Sequence, residues 1–359
     1  MTKREISYIL PSSDSTSDEE FCVRNMNYTD WKSLKSDVTR MTPLRIDIGA
    51  IFDGDVKNNK NKVDGLTINP VEREFVIDID LTDYDHIRTC CSGKKLCDKC
   101  WTYVKAAHKV LKHILDKSFG FKHILWVFSG RRGIHAWVCD ESARFMSKKV
   151  RKAVTEFLNF TLSNDMVNFL VKPELINKKN KYNLLFEAYE ILKQYRGFLL
   201  EEQKILNREN VVTMIFSVTE RYIERDLTDA EKEQFKEKTN GHAKLELLKN
   251  IIEKCENEED KEGKCEKGDM FVLEFILGYL YPKIDSHVSA QVNHLLKAPF
   301  NIHHSTMNVS LPIMDIDRFS IENCLSVESL LAKMRETKKN PIQPEIDFFK
   351  KFCDKCENK

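Results

Sequence analysis

The sequence predicts an α+β fold in which strands and a long helical segment occupy different parts of the chain. Short runs of β-branched and aromatic residues are concentrated before residue 145, and such runs are typical of strands. From residue 146 to about 267 the chain changes to long amphipathic segments rich in Lys and Glu, a pattern that indicates solvated helices. Because strand-like residues return at 311–316, we expect the helical segment to be inserted into a discontinuous core.

The elements of the predicted core can be placed in order along the chain. Six strands are predicted at residues 6–10, 21–28, 46–52, 74–81, 124–128 and 134–139. Polar loops are predicted at 11–20 and from 53 to about 69, where turn-forming residues are frequent. A helix at 101–116 is indicated by apolar residues at helical spacing, namely Val104, Ala107, Leu111 and Leu115.

The remaining elements give the predicted domain boundaries. Thr228 to Glu231 has the form of a capping box that opens a helix, and a last helix is predicted at 328–337. We therefore expect a core formed by residues 1–145 and 268–345, which includes a cysteine-rich loop at 90–100. The helical subdomain would cover 146–267, and 346–359 would form a charged, disordered tail.

Bulk composition excludes several classes of protein. The 359 residues contain 57 basic and 56 acidic side chains, so the net charge of +1 does not by itself indicate a nucleic-acid partner. The longest apolar run, residues 275–281, is far shorter than the ~18 residues of a membrane span. The 11 cysteines, without a secretory signal, favour a reducing compartment and metal binding over a disulfide framework. We expect a soluble intracellular protein.

The strand at 74–81 carries two acidic residues on one face. Side chains alternate along a strand, so Asp78 and Asp80 lie on the same side, about 6–7 Å apart at the backbone. Two carboxylates this close repel each other, and a pair of Mg²⁺ or Mn²⁺ ions would remove the repulsion. The alternative is that Asp80 only begins a turn, because Thr82 and Asp83 follow.

A cysteine cluster follows this strand, at Cys90, Cys91, Cys97 and Cys100. Four thiolates bind Zn²⁺ tetrahedrally and would stabilise a loop that has few apolar residues. Adjacent cysteines are less usual as ligands than Cys-x2-Cys, so His86 or His108 is an alternative for one position. Cys353 and Cys356 repeat the short spacing near the end of the chain but have no second pair nearby, and we predict no metal there.

Two further segments could complete a phosphate-binding site. Residues 129–135, Ser-Gly-Arg-Arg-Gly-Ile-His, combine two arginines with glycines that let the backbone approach a ligand; the alternative is a cationic hairpin tip. Residues 282–304 contain an isolated acid, Asp285, with Lys297 and His303 after it. Two strand acids, a third acid, an arginine pair and a Lys/His set are what metal-dependent nucleotidyl transfer requires.

These segments together resemble the small-subunit family of eukaryotic DNA primases, in the archaeo-eukaryotic primase superfamily. The resemblance rests on four strings: residues 75–85 (FVIDIDLTDYD), the cysteine cluster through Trp101, residues 129–140 (SGRRGIHAWVCD) and residues 294–303 (HLLKAPFNIH). A fifth segment, residues 43–49 (PLRIDIG), resembles a family segment that usually has lysine at the position of Arg45. One departure is that the family carries a helical stretch before a segment like Arg4 to Tyr8, where this chain begins.

The resemblance implies a role for each candidate residue. Asp78, Asp80 and Asp285 would hold two catalytic Mg²⁺ or Mn²⁺ ions, and the four cysteines would hold one structural Zn²⁺. The implied nucleotide-binding residues are Ser129, Arg131, Arg132, His135, Lys297, His303, Arg45 and Asp47. It also implies a fold with a primase-type core of mixed β-sheets flanked by helices, together with the zinc loop and the inserted all-α subdomain.

The implied activity is synthesis of short RNA primers from NTPs on single-stranded DNA, started without a primer, by two-metal nucleotidyl transfer. The implied partners are a large primase subunit and the DNA polymerase alpha complex, in the nucleus, with no membrane association. Two alternatives are an inactive zinc-stapled nucleic-acid adaptor and an Asp-x-Asp metal-dependent nucleotide-sugar transferase. The three acids argue against the adaptor, and the arginine hairpin is not expected in the transferase.

Overall fold

The computed structural model describes residues 2–11, 20–57, 68–159, 184–255 and 266–357. Most of the predicted loop at 11–20, part of the loop at 53–69 and parts of the predicted helical subdomain lie outside these ranges. By its internal contacts the chain divides into two compact units. Unit 1 consists of residues 1–80, 120–158 and 284–359, and unit 2 consists of residues 81–119 and 159–283. The domain boundaries predicted from the sequence remain a prediction.

Unit 1 is built on two antiparallel sheets. The larger sheet has the order β2-β1-β3-β4, with β8 also paired to β3. Its strands are β1 (Arg4–Pro11), β2 (Glu20–Met26), β3 (Arg45–Phe52), β4 (Pro70–Glu72) and β8 (Leu296–Lys297). The smaller sheet has the order β5-β7-β6, formed by β5 (Phe75–Asp80), β6 (Ile124–Phe128) and β7 (Gly133–Val138).

The prediction of an α+β fold is confirmed, and the predicted core strands are present within a few residues of their expected ends. The prediction of mixed sheets is wrong for the described strands, because every strand pair among them is antiparallel. Residues 311–316 form no strand. Their backbone instead meets the edge of β6 at one isolated bridge, Val127 to Pro312. One hydrogen bond lies on each side of this bridge, from Phe128 N to the Leu311 oxygen and from Ile313 N to the Trp126 oxygen.

Six α-helices belong to unit 1 in its described residues. They are α1 (Trp31–Met41), α3 (Glu141–Arg144), α4 (Lys148–Leu158), α10 (Ser286–Ala290), α11 (Val327–Thr337) and α12 (Gln343–Glu357). The sequence did not predict α1. Its signal is Asp30, whose carboxylate accepts hydrogen bonds from the backbone N–H groups of Lys32 and Ser33 and so caps the helix.

The predicted disordered tail is instead the helix α12. Its Phe348, Phe349 and Phe352 pack against a core cluster formed by Val76, Leu125, Val127, Trp137, Val288 and Leu296. These three aromatic residues fall on one face because helical neighbours recur every three to four positions. Burial of that apolar face stabilises the helix, although the exposed lysines of the segment had suggested a solvated tail. Val76 and Trp137 connect this core directly to the smaller sheet.

Unit 2 is helical in its described residues. Its helices are α2 (Asp98–Lys117), α5 (Leu184–Leu192), α6 (Glu209–Ile223), α7 (Asp229–Glu237), α8 (Gly241–Lys254) and α9 (Lys267–Leu280). The predicted capping box is confirmed at Thr228 and Glu231, which exchange hydrogen bonds at the start of α7. Helix α9 packs against α8 and α5, and α2 packs against α5. Among the described residues, no helix combines the length and the apolar character that a membrane crossing requires.

Candidate functional site

The acid pair lies at the end of β5, on its exposed side. The side chains of Asp78 and Asp80 are 25% and 39% exposed, whereas Ile77 and Ile79 between and beside them are fully buried. The alternation predicted from the sequence is therefore confirmed. In the pairing with β7, Asp78 lies opposite His135 and Asp80 lies opposite Gly133. The pleat thus fixes both carboxylates toward one side of the sheet.

The third acid lies beside this pair although it is distant in sequence. The backbone N–H of Asp285 donates to the Asp78 carbonyl oxygen at 3.2 Å. The Asp285 carboxylate accepts a hydrogen bond from the His287 N–H at 2.8 Å and caps α10, which packs against β5. A strand end and a helix N-terminus, which favours negative charge, therefore bring the three acids into one region.

The hairpin between β6 and β7 is held by Ser129. Its hydroxyl accepts a hydrogen bond from the Gly133 N–H at 3.1 Å, and its own N–H donates to the Gly133 oxygen at 2.9 Å. Gly130 has a φ of +90°, a conformation that side chains with a Cβ rarely adopt. A Cβ there would lie 2.8 Å from the His303 Cβ. The glycine thus allows the turn to pack closely beside His303.

The two arginines of the hairpin take different positions. Arg132 Nε lies 3.4 Å from an Asp80 carboxylate oxygen, and its side chain is 19% exposed. The guanidinium of Arg131 interacts electrostatically with His303, where it adds a smaller contribution to the lowering of the imidazole pKa by burial and Lys297. Arg132 therefore lies at the acid pair, and Arg131 lies toward the histidine that follows β8.

Three further predicted residues lie next to the hairpin and carry shifted pKa values. Burial, with a smaller contribution from Lys297, lowers the pKa of His135 to about 4, and His135 Nε2 lies 3.5 Å from an Asp78 oxygen. Burial and the nearby Arg45 lower the pKa of Lys297 to about 8, and its Nζ donates to the Ser129 carbonyl oxygen at 3.0 Å. Burial and Lys297 lower the pKa of His303 to about 3. Both histidines are therefore neutral at pH 7.

Arg45 and Asp47 form an ion pair on β3 next to these groups. Arg45 donates to the Asp47 carboxylate at 2.9 Å, and Asp47 is 2% exposed. Asp47 lies opposite Lys297 in the pairing of β3 with β8. The structure therefore brings together all the predicted acidic and nucleotide-binding residues in unit 1.

Asn301 was not among the residues predicted from the sequence, although its side chain connects β3 with the segment after Lys297. Its carboxamide accepts a hydrogen bond from the Ile46 N–H at 2.9 Å and donates to the Ile46 and Ala298 oxygens at 2.7 and 2.9 Å. It thereby fastens the segment after Lys297 to β3. The only sequence signal is a polar residue within an apolar stretch, which gives no indication of its partners.

The four predicted cysteines meet in unit 2. The sulfur atoms of Cys90, Cys91, Cys97 and Cys100 all lie within 4.8 Å of one another. Sulfur ligands of a tetrahedral zinc ion are about 3.8 Å apart, given a Zn–S distance near 2.3 Å, so the four side chains fit one metal ion. The cluster needs neither His86 nor His108 as a substitute ligand, and His86 Nε2 lies 2.9 Å from Lys283 Nζ instead.

Among the described residues, these cysteines are the one group of three or more candidate ligands whose ligand atoms all lie within that distance of one another. The three aspartates offer oxygen ligands, which suit Mg²⁺ or Mn²⁺, so they fit such ions in their chemistry.

Comparisons with known proteins agree on one family. The family model described as DNA primase small subunit matches residues 77–315. The DNA primase small subunit of Drosophila melanogaster is 34% identical over 317 residues, which cover 87% of this chain and 69% of the relative. That of Schizosaccharomyces pombe is 30% identical over 349 residues, covering 94% and 71%. That of Caenorhabditis elegans is 30% identical over 385 residues, covering 99% and 90%.

Proposed function

Since the chain belongs to the DNA primase small-subunit family, we propose that it synthesises RNA primers on single-stranded DNA with Asp78, Asp80 and Asp285 as its catalytic acids. Its role is that of the catalytic primase subunit, which is a nucleotidyltransferase of DNA replication. Its relatives are small subunits, so it works in a primase complex with DNA and NTPs as substrates. The proposed partners are a large primase subunit and the DNA polymerase alpha complex, and the proposed compartment is the nucleus.

The observation that carries the proposal is the convergence of the three acids. Asp78 and Asp80 are fixed by the pleat of β5, and Asp285 is joined to Asp78 by a backbone hydrogen bond of 3.2 Å. Two Mg²⁺ or Mn²⁺ ions bound there would activate the attacking 3′-oxygen and neutralise charge on the leaving pyrophosphate. A purely structural sheet edge would gain nothing from three acids in one region.

The cationic residues around the acids are suited to the triphosphate. Arg132 offers a planar donor fork that matches phosphate oxygens, and Lys297 offers a charge held near Ser129 by its hydrogen bond. Because His135 and His303 are neutral at pH 7, they would orient the nucleotide as hydrogen-bonding groups. Ser129, Arg131 and the Arg45–Asp47 pair complete the proposed nucleotide contacts. Their contribution is positioning and charge, without a covalent intermediate.

The metal held by the cysteine cluster is proposed to be one structural Zn²⁺. All four ligands are thiols, and closed four-thiolate sites of this kind contribute their binding free energy to folding. Because all four ligand positions are filled by protein thiols, we assign the zinc to stability and assign no catalytic step to it.

The decisive experiment combines activity with one acid variant and one matched control. The purified chain incubated with poly(dT), ATP and Mn²⁺ should produce adenylate oligomers. Asp285→Asn should reduce this synthesis by orders of magnitude, while the folding of α10 is retained because asparagine also caps helices well. Asp315→Asn, at an exposed acid with a side-chain exposure of 48%, should leave the rate unchanged.

The outcomes separate the proposal from its alternatives. Binding of poly(dT) without any product would support an inactive adaptor. A normal rate in Asp285→Asn, with an intact fold by circular dichroism, would show that the third metal-binding acid is another residue.

A further inference from the structure

A fully buried arginine holds one side of the cysteine loop. The side chain of Arg88 is 0% exposed, and its guanidinium donates to the Gly93 oxygen at 2.7 Å and to the Lys95 oxygen at 2.9 Å. The same guanidinium lies 3.8 Å from Cys100 Sγ. It is also ion-paired with the Asp85 carboxylate at 2.6 Å. The loop that carries the cysteines is thus wrapped around an arginine that already has one acidic partner.

A buried glutamine contacts the opposite side of the same cluster. Gln203 is 0% exposed, and its Nε2 donates to Cys90 Sγ at 3.3 Å. Its Oε1 accepts a hydrogen bond from the Thr89 N–H at 2.7 Å, and its backbone oxygen accepts one from the Thr89 hydroxyl at 2.5 Å. Both ends of the carboxamide are therefore directed at the first cysteine and the residue before it.

The backbone around Gln203 has an unusual geometry. Gln203 directly follows a π-helical turn, Phe198–Glu202, and its N–H donates to the Phe198 oxygen at 2.9 Å. A 3₁₀ turn, Ile205–Asn207, comes next. Single π turns are rare and are frequently found at functional sites. Here the turn directs a polar side chain into a fully buried position beside a sulfur atom.

We propose that Gln203 is a positioning residue for the cysteine metal site, and that through it metal binding stabilises residues 198–207. The inference rests on the proposed zinc site. Four thiolates around one Zn²⁺ carry a net charge of −2, which is costly to bury without donors. Arg88, which also pairs with Asp85, directs an N–H at Cys100, and Gln203 directs an N–H at Cys90. Loss of such outer partners typically weakens metal binding about 10- to 100-fold.

An alternative is that Gln203 acts only as a structural bridge to Thr89, whatever the state of the sulfur atoms. The two roles differ in one measurable quantity. A structural bridge would change the stability of the metal-free and the zinc-loaded chain equally. A positioning residue would change the zinc affinity and would lower the stability gained on zinc binding.

The test compares zinc binding in the full chain and two of its variants. Gln203→Leu removes both polar ends while nearly conserving volume. Gln194→Leu is the matched control, because Gln194 is exposed and its carboxamide donates to the nearby Ile191 oxygen. Zinc affinity is measured by competition with a chromophoric chelator. We expect about 10- to 100-fold weaker zinc binding in Gln203→Leu, and no change in Gln194→Leu.

A second measurement uses the unaltered chain and does not depend on the folding of a variant. Removal of zinc should increase amide hydrogen exchange in residues 198–207. Helix α7, whose capping box is formed by Thr228 and Glu231, serves as the internal reference. Zinc affinity within twofold of wild type in a folded Gln203→Leu, or unchanged exchange in 198–207, would overturn the inference while leaving the zinc site intact. A wild-type chain that binds no zinc would overturn both, and primer synthesis, measured separately, would still decide the catalytic proposal.

Discussion

The close contact between β5 and β7 gives the most direct test of the site geometry, through Gly133→Ala. A Cβ on Gly133 would lie 2.0 Å from the Ile79 oxygen and 3.2 Å from the Asp80 Cα. Since such contacts need at least 3.0 Å, the strands must separate by about 1 Å at the Asp80–Gly133 pair. Overpacking of this kind typically costs about 1–3 kcal/mol of unfolding free energy.

The same displacement should reduce activity, because Asp80 belongs to the separating pair. A shift of about 1 Å in a catalytic group can cost on the order of 100-fold in rate. Thermal and urea unfolding measure the stability, and primer synthesis on poly(dT) measures the rate. The control is Gly197→Ala, whose Cβ would meet nothing within 4 Å and whose φ of −59° suits alanine. That change should be neutral or stabilising by up to about 1 kcal/mol. A Gly133→Ala chain with wild-type stability and rate would refute this reasoning.

Three other predictions concern the nucleotide contacts and the metal. Arg132→Lys should weaken NTP use although it keeps the charge, and Arg132→Ala should weaken it further, by about 1.5–3 kcal/mol or ten- to a hundredfold. If these variants lose DNA binding while their NTP dependence stays normal, the hairpin contacts the template instead. The kcat/KM for NTP should fall as pH rises through about 8, where Lys297 loses its proton. Lys297→Arg should abolish this fall, and a pH profile of kcat/KM that is unchanged in the variant would contradict the assignment. Cys100→Ser should lose about one equivalent of zinc and lower the melting temperature, whereas Cys356→Ser should change neither quantity. Two zinc ions in the wild-type chain would argue against a single zinc site.

The parts of the site that could be predicted from the sequence are those fixed by local rules. The exposed side of β5 follows from the alternation of side chains along a strand, so Asp78 and Asp80 could be placed together. The turn at 129–133 follows from its glycines, and the capping box at Thr228 from the spacing of its two residues. In each case the relevant interactions lie within a few positions of one another.

The features that could not be predicted depend on partners distant in sequence. Gln203 reaches Cys90 because the π turn redirects its side chain. The role of Asn301 depends on its hydrogen bonds to Ile46, which is distant in sequence. Helix α12 was expected to be disordered, because its charges suggest solvation until the surface that receives its phenylalanines is known. In each of these cases the observed conformation depends on tertiary burial and not on local composition.

The neighbours of the acid pair explain why an arginine suits the position of Arg132. His135 lies 3.5 Å from Asp78 and is neutral at pH 7, because burial lowers its pKa to about 4, so it adds no charge there. Arg132 brings a permanent positive charge within 3.4 Å of Asp80. If Asp80 binds a metal ion, as we propose, that ion competes with the guanidinium for the same carboxylate. Metal binding would then free the planar donor fork of Arg132 for the triphosphate, a geometry that lysine cannot supply.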